Sequence, residues 1–225
     1  MKKSFSLTFL LMTTVLVVSL IASNLFAAKI LHFWGLTLPG AVIIFPITYI
    51  LNDCICEVWG YKKARLVIWL AFSLNTAIVL LGKLLCMLPA ADFWTGGPHF
   101  DYLFDFVPKI IFASILAFLL GSTLNAWVMS KMKKADRGRR FGLRAIVSSL
   151  VGECADSLIF IPIAFWGIPA EKLLAMMGVQ VAVKVAYEIL ILPVTSAVVR
   201  KVKKMENTDV IDEDISYNPF RINDI

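Results

Sequence analysis

Ionisable side chains inside apolar runs are the residues of this sequence best suited to chemistry. Six of them interrupt stretches that are otherwise apolar: Asp53, Glu57, Glu153, Asp156, Lys184 and Glu188. An ionisable group at the centre of a bilayer costs on the order of 3 kcal/mol on insertion scales. Six uncompensated groups would cost roughly 15–20 kcal/mol, more than the about 5–15 kcal/mol that holds a typical domain folded. These groups must therefore be paired, protonated or in contact with water.

Spacing predicts that each acidic pair faces one direction. Asp53 and Glu57 are four residues apart, about 40° around a helix, and Glu153 and Asp156 are three apart, about 60°. Because lipid is the least favourable direction, we expect the helices that carry these pairs, and the helix with Lys184, to share a polar cavity. Glu57 also fits a position nearer the membrane interface.

Amide side chains in the apolar runs are further candidates for the lining of that cavity. A single membrane Asn serves about as often in helix–helix contact as in ligand binding, so both interpretations stay open. The amides concerned are Asn24, Asn52, Asn75, Asn125 and Gln180.

The charge balance of these segments indicates two uses. Five carboxylates stand against one lysine, with Arg144 at the start of the fifth apolar run as a second cation. Carboxylates that lie near like charges in a low dielectric take up protons. The cavity would suit a ligand rich in hydrogen-bond donors, a proton relay, or both. Lys184 and Glu188, four apart, are predicted to form a structural or gating ion pair.

Motifs for other chemistries are missing from the sequence. Gly82-Lys83 is followed by Leu84, so there is no nucleotide-binding P-loop, and neither His-Glu-x-x-His nor Gly-x-Ser-x-Gly occurs. Cys54 and Cys56 point about 200° apart on a helix, which disfavours a metal site. We therefore expect no metal, no cofactor and no enzymatic activity.

Composition and run length predict an all-α, polytopic membrane protein. Of 225 residues, 59% are hydrophobic and 17% are charged, with mean hydropathy +0.80. Spanning the hydrocarbon core takes about 20 helical residues. Six runs are long enough, near 6–28, 38–59, 65–88, 109–130, 144–166 and 173–198.

Basic residues cluster in alternate connections, with net charge +6 for the chain. The clusters lie at Lys2 and Lys3, in 62–65, in 131–144 and in 200–204. By the positive-inside rule, both termini are predicted to be cytoplasmic, in a multi-pass protein of the inner membrane whose first helix is retained. This placement also disfavours nucleic-acid binding.

Six spans with both ends on one side suggest a 3+3 inverted repeat. Residues 1–204 would form this transmembrane domain. Residues 205–225 contain six acids and one base and are predicted to be a flexible acidic cytoplasmic tail.

A longer motif in the second apolar run resembles a known family. It reads Phe45-Pro46-Ile47-Thr48-Tyr49-Ile50-Leu51-Asn52-Asp53 and continues through Glu57-Val58-Trp59-Gly60-Tyr61-Lys62-Lys63-Ala64-Arg65. Together with Asn24 and Lys29, Arg144 through Ser148 to Glu153 and Asp156, and Lys184, Glu188 and Pro193, it resembles the queuosine precursor transporters, also called the vitamin uptake transporter family. The resemblance covers about residues 5–204.

The resemblance implies import of a 7-deazaguanine such as preQ0, preQ1 or queuine for making queuosine in tRNA. A carboxylate can accept two hydrogen bonds from the neighbouring donors of a guanine-like edge. One of Asp53, Glu57, Glu153 or Asp156 would bind that edge, and Asn24 or Asn125 would contact the carbonyl group. Trp59 or Phe160 would stack on the ring, or else face lipid or core. Lys184, Glu188, Arg144 and Lys29 are candidates for gating or ion pairs.

Two alternatives remain open at this stage. The protein could be the substrate-binding membrane subunit of an energy-coupling vitamin transporter, or a membrane enzyme or scaffold. A small-residue stripe at Ala113, Ala117 and Gly121 suits close helix approach, within the chain or in a homodimer. Aromatic residues between 100 and 106 would form an interfacial belt or an outer cap.

Overall fold

The computed structural model describes residues 5–33, 36–105 and 108–221. Lys2 and Lys3 of the first basic cluster and Phe106 of the aromatic segment lie outside these residues. The elements in chain order are α1 (Leu7–Phe26), β1 (Ile30–Phe33), β2 (Leu36–Pro39), a short 3₁₀ turn (Gly40–Ile43), α2 (Phe45–Trp59), α3 (Tyr61–Cys86), α4 (Gly97–Asp105), α5 (Pro108–Asp136), α6 (Phe141–Ala164) and α7 (Ala170–Glu206).

The prediction of an all-α membrane protein with six spans is confirmed. Within the described residues, six helices are long and apolar enough to cross a membrane, which makes this a multi-pass membrane protein. Large apolar side chains on their outer faces are exposed, as lipid contact requires, among them Leu10, Leu81, Leu84, Leu158 and Leu190. The antiparallel β1–β2 hairpin between α1 and α2 was not predicted.

Helix starts and ends follow local chemistry. The Ser6 hydroxyl accepts a hydrogen bond from the Phe9 amide at 3.2 Å and caps α1. Gly60, with φ +83°, ends α2 and lets α3 begin at the next residue. α7 is longer than predicted: its 37 residues span about 55 Å against the roughly 30 Å of hydrocarbon, so part of it extends beyond the bilayer core.

The six long helices alternate in direction. Glu57 near the end of α2 contacts Lys133 near the end of α5, Arg144 near the start of α6 and Lys203 near the end of α7. Phe9 near the start of α1 packs edge-on against Trp59, with ring centroids 5.1 Å apart. The starts of α1, α3 and α6 and the ends of α2, α5 and α7 therefore meet on one side, here called the basic face. The inverted repeat and the cytoplasmic placement of this face stay predictions.

Helices α5 and α6 pack closely where glycines face each other. A Cβ atom on Gly152 would lie 2.8 Å from the carbonyl oxygen of Gly121 and 2.8 Å from the Asn125 Cβ atom. Ala113, Ala117 and Gly121 are all buried, so the small-residue stripe is used in packing within the chain. The Phe104 ring lies where a Cβ atom of Gly82 would be, so α4 packs on α3.

Gly152→Ala is expected to lower the free energy of unfolding by about 1–3 kcal/mol, because backbone and Cβ atoms around Gly152 cannot move aside easily. Thermal unfolding in detergent measures the effect. Gly178→Ala is the matched control, since nothing lies within 4 Å of its added Cβ and the substitution should be neutral or slightly stabilising. Equal melting temperatures for the two variants would contradict the close approach.

The acidic segment after α7 packs on the basic face instead of hanging free. Asp212 accepts hydrogen bonds from the Tyr61 amide at 2.8 Å and from the Ser130 hydroxyl at 2.5 Å. The indole of Trp69 donates to the Pro219 carbonyl at 2.7 Å, and Arg65 donates to the Asn218 carbonyl at 2.7 Å. In this structure the acids of residues 207–221 therefore meet the start of α3 and basic side chains, and the flexibility expected of the acidic segment stays a prediction.

Asp209 shows the electrostatic part of this docking. It accepts hydrogen bonds from Lys133 at 2.6 Å and lies 2.9 Å from the Lys203 ammonium. Burial alone would raise the pKa of Asp209, but these two cations hold it below its ordinary value. The carboxylate is therefore ionised at neutral pH and keeps its contacts with the basic face.

Candidate functional site

Five of the six predicted intramembrane ionisable residues come together between α2, α6 and α7. They form what we call the central acidic cluster: Asp53, Glu153, Asp156, Lys184 and Glu188. None of them is more than 4% exposed. Four carboxyl groups against one ammonium group give the cluster a formal charge of −3 when all are ionised.

Lys184 pairs across helices and not along its own. Its ammonium group donates to Asp156 at 2.7 Å and lies 4.3 Å from the centroid of the Phe45 ring. The predicted Lys184–Glu188 pair is therefore replaced by Lys184–Asp156. The reason is geometric: the α6–α7 contact brings Asp156 to the ammonium group, while Glu188, a turn further along, faces α2.

Asp53 lies at the junction of three helices. The hydroxyls of Ser148 and Ser149 on α6 each lie 3.4 Å from its carboxylate oxygens. Its carboxyl group also interacts electrostatically with that of Glu188 of α7. Glu188, which was predicted to pair with Lys184, therefore lies by Asp53.

Glu153 differs from the other members of the cluster because both of its carboxylate oxygens lack a hydrogen-bond partner among the described residues. It is 0% exposed, and neither of its carboxylate oxygens has a hydrogen-bond partner in the part of the chain that the structure describes. Oε2 of Glu188 and the hydroxyl of Ser157 likewise lack partners among those residues. A buried carboxylate without donors is costly, so this position has unused capacity to accept hydrogen bonds.

A row of amides borders the cluster on α2 and α5. The Asn52 amide donates to the Asn125 side-chain oxygen at 2.7 Å and to the Ser122 carbonyl at 3.2 Å. Asn125 in turn donates to Ser149 at 3.4 Å, and Ser149 contacts Asp53. Asn125, a predicted site residue, therefore lies beside the cluster.

Asn24 has partners elsewhere. Its side-chain nitrogen donates to Asn75 on α3 at 2.8 Å, and its oxygen accepts from Ser114 on α5 at 2.6 Å. Both amide atoms are engaged in joining α1, α3 and α5, so this structure gives Asn24 a packing role. Lys29 is exposed, and its carbonyl accepts from Gly40 at 2.7 Å beside the hairpin, away from any described ion pair.

Glu57 lies at the basic face and not in the cluster. Its carboxylate accepts from Arg144 at 2.7 Å and from Lys203 at 2.5 Å, and Lys133 lies 3.8 Å away. Glu57 is 0% exposed, and Arg144 also binds Asp136 at 2.6 Å. The expectation that Glu57 binds substrate is not supported by this geometry, because three cations already occupy its oxygens.

The two aromatic residues predicted to stack on the substrate, Trp59 and Phe160, make no described contact with the central acidic cluster. Trp59 is buried against Phe9 at the basic end of α2. Phe160 makes an edge contact with Phe165 near the end of α6, with centroids 6.2 Å apart. Phe45, over which Lys184 lies, and Tyr49, whose hydroxyl reaches the Gly152 carbonyl at 3.4 Å, are the aromatic residues beside the cluster.

Sequence reasoning missed the residues that close the basic face. Lys133 and Lys203 were used only to assign topology, yet both contact Glu57. Asp209 and Asp212 were assigned to a flexible tail. The opposite charges of the basic connections and the acidic segment were the signal that could have paired them.

A groove with a volume of about 540 Å³ runs between α6 and α7. Its walls are apolar, with Leu158, Leu174 and Val181 among them, and they include Cys154 and Ser157 of α6. Cys154 and Ser157 are sequence neighbours of Glu153 and Asp156. The groove therefore lies beside the helix contact that buries the cluster.

The fold and the central acidic cluster together define a class of membrane protein. Charged groups from three helices, paired and buried in the middle of an alternating bundle, are typical of membrane proteins that move polar solutes. The model of a family described as "putative vitamin uptake transporter" matches residues 39–198. The chain belongs to this family.

Two curated relatives agree with that assignment. The chain is 28% identical over 192 residues to a "probable queuosine precursor transporter" of Bacillus subtilis (strain 168), an alignment that covers 84% of this chain and 83% of the relative. It is 29% identical over 125 residues to a "queuosine precursor transporter" of Escherichia coli (strain K12), covering 56% and 54%. No solved structure matches the chain. The resemblance found in the sequence is confirmed.

Proposed function

We propose that this protein imports queuosine precursors, 7-deazaguanines such as preQ0, preQ1 or queuine, by secondary or facilitated transport, and binds them in the central acidic cluster. The observation that carries the proposal is Glu153, a fully buried carboxylate without a hydrogen-bond donor among the described residues. The names of the relatives supply the substrate class.

The hydrogen-bond donors of a 7-deazaguanine match the unpaired carboxylate of Glu153. A guanine-like edge presents a ring N–H and an amino group side by side, and a carboxylate accepts both at once. Among the four candidate acids, Asp156 is engaged by Lys184, Asp53 by serines and Glu188, and Glu57 by cations. Glu153 is thus the acid best placed to bind that edge. Asn125 is the candidate amide for the carbonyl group.

The charge of the cluster favours a cationic cargo. With all groups ionised, the cluster keeps a formal charge of −3 after the single ammonium group of Lys184 is counted. The aminomethyl group of preQ1 is cationic and would offset one of the remaining negative charges. Among the three deazaguanines, preQ1 and queuine, which carry amines, are therefore expected to bind more tightly than neutral preQ0.

The cluster is closed in this structure, so transport requires helices to part. Its residues are at most 4% exposed. We propose that α7 moves against α2 and α6, since the Lys184–Asp156 contact joins α7 to α6 and the groove between α6 and α7 leaves space on the outer side of that contact. In this scheme the basic face is cytoplasmic, the protein lies in the inner membrane, and lipid surrounds the exposed apolar faces.

Uptake by the purified protein tests the function. Proteoliposomes containing the full chain should take up labelled preQ1, with competition by unlabelled preQ0 and queuine and little by adenine, which lacks the paired donors of the guanine edge. The label should be recovered chemically unchanged, which distinguishes transport from catalysis. Binding without uptake, together with co-purification of an ATPase module, would instead support an energy-coupling subunit. Absence of both binding and uptake would refute the proposal.

A further inference from the structure

The hydroxyl group of Ser157 on α6 is buried without a hydrogen-bond partner. Ser157 is 1% exposed, and its Oγ atom has no partner among the residues that the structure describes. Two other buried hydroxyls of the bundle use a carbonyl of the preceding turn: Ser148 donates to Ala145 at 3.0 Å, and Thr195 donates to Ile191 at 3.2 Å. Because an unpaired buried hydroxyl is costly, this position favours a partner that comes from outside the chain.

Ser157 is close to Glu153 along α6 and also lines the groove between α6 and α7. Four residues of an α-helix separate two side chains by about 40° around the axis and about 6 Å along it, so Ser157 and Glu153 lie on one face of α6. The walls of the groove near Ser157 include Cys154 and Leu158 of α6 and Gly178 of α7. Unpaired polar groups therefore extend from the central acidic cluster to the edge of an apolar groove.

An occupant of this groove must bring a hydrogen-bonding atom to Ser157 and apolar surface to the other walls. A lipid acyl chain suits the walls but has no hydrogen-bonding atom. In a 7-deazaguanine, the paired donors that suit Glu153 belong to the six-membered ring, whereas the substituent at position 7 extends from the five-membered ring, away from those donors. The base can therefore reach both polar groups of α6 at once.

The substituents of the three candidate cargoes match a hydroxyl group. The substituent is a nitrile in preQ0 and an aminomethyl group in preQ1, and in queuine the amine also carries a cyclopentene ring. A serine hydroxyl can donate to a nitrile nitrogen and can accept from an amine N–H, so one residue serves all three. The positive charge of the amine would also remain beside the acidic cluster, which favours the same placement.

We propose that Ser157 and the α6–α7 groove form the subsite for the substituent at position 7 of the cargo, an inference that rests on the proposed function. Glu153 binds the donor edge of the base, the Ser157 hydroxyl bonds to the first nitrogen of the substituent, and the apolar walls accept the ring of queuine. The protein then selects its cargo by the substituent as well as by the base.

Uptake by the full chain in proteoliposomes tests Ser157, with labelled preQ1, preQ0 and the unsubstituted parent base as cargo. Ser157→Ala should lower the apparent affinity for preQ1 and preQ0 by about 5- to 10-fold, as expected for the loss of one hydrogen bond. Affinity for the parent base should change little, because it has no substituent that reaches Ser157. Ser73→Ala, which alters an exposed serine of α3, is the matched control and should behave as the wild type with all three. An equal loss for all three cargoes would overturn the subsite and leave the proposed function intact.

Cys154 reports directly whether the substituent enters the groove. It lines the groove and is half-buried, whereas Cys54 and Cys56 are buried, so a Cys86→Ser background leaves one accessible thiol among the four cysteines of the chain. Saturating queuine or preQ1 should slow the reaction of Cys154 with N-ethylmaleimide, measured by mass spectrometry, and the parent base should slow it much less. Protection without cargo that is lost on dilution or on removal of lipid would assign the groove to a second copy or to a lipid chain, and would overturn the subsite.

Gly178→Leu tests the groove by a second route if Ser157→Ala fails to fold. No described atom lies within 4 Å of a Cβ atom built on Gly178, so the larger side chain has room and would fill the groove. Affinity for queuine should fall by about 10-fold or more relative to the parent base. Unchanged affinity for queuine would overturn the subsite. A wild type that takes up no deazaguanine would refute the proposed function and this inference with it.

Discussion

Glu57→Gln is expected to be among the most destabilising single substitutions in this protein. One buried carboxylate holds Arg144 at 2.7 Å and Lys203 at 2.5 Å, with Lys133 at 3.8 Å. Removing one partner of a buried ion pair typically costs about 3–5 kcal/mol, since the remaining charges stay buried without compensation. For a chain of this size that is a fall of roughly 6–20 °C in the melting temperature.

Thermal unfolding of the purified protein in detergent measures this fall. Glu171→Gln is the matched control, because Glu171 is exposed at the start of α7 and its loss should leave the melting temperature nearly unchanged. If Glu57→Gln melted with the control, then Asp136 and Asp209 would suffice to neutralise the three cations. The central place of Glu57 in the basic face would then be wrong.

Glu153→Gln should have the opposite profile, with the fold intact and transport lost. The glutamate side chain makes no hydrogen bond with the described residues, so removing its charge breaks none and relieves the cost of a buried carboxylate. We expect an unchanged or higher melting temperature. Apparent affinity for preQ1 should fall by about 10- to 100-fold, as expected for loss of hydrogen bonds to a charged group worth about 1.5–3 kcal/mol.

Asp156→Asn is the comparison variant for Glu153→Gln. Asp156 binds Lys184 at 2.7 Å, so its substitution should lower stability as well as uptake. Concentration-dependent uptake and thermal unfolding of both variants separate the two roles. A Glu153→Gln variant that transports preQ1 with wild-type affinity would remove Glu153 from the binding site.

The six spans could be predicted because run length and hydropathy determine them directly. The α1–α2 hairpin and the sharp α2–α3 corner at Gly60 could not, since they depend on backbone pairing and on one positive φ angle. The length of α7 was underestimated because its polar C-terminal turns extend past the apolar run on which the prediction was based.

Convergence of the intramembrane charges was predictable in part. Asp53, Glu153 and Asp156 meet as the shared-cavity interpretation requires, but Glu57 does not join them. Four residues along a helix keep Asp53 and Glu57 on nearly one face, yet they separate the two by about 6 Å along the axis, enough to move Glu57 to the basic face. Periodicity gives the direction of a side chain and leaves its depth to the packing of neighbouring helices.

Ion-pair partners were the least predictable feature. The four-residue spacing of Lys184 and Glu188 is compatible with an ion pair within the helix, but Lys184 pairs with Asp156 of α6, and Glu188 interacts with another acid, Asp53 of α2. One sequence does not reveal which helices are neighbours. For the same reason, Asn24 fits a binding role by residue type and is engaged with Asn75 and Ser114 in the bundle.

The docked segment 207–221 affects how the protein should be trimmed for expression. The family match ends at residue 198, which invites a shortened version that stops soon after α7. Such a cut would strip the Asp212 cap from the Tyr61 amide and leave Lys133 without Asp209. The end of the family match is thus a poor guide to the folding unit, and purification tags belong where they leave this segment free to dock.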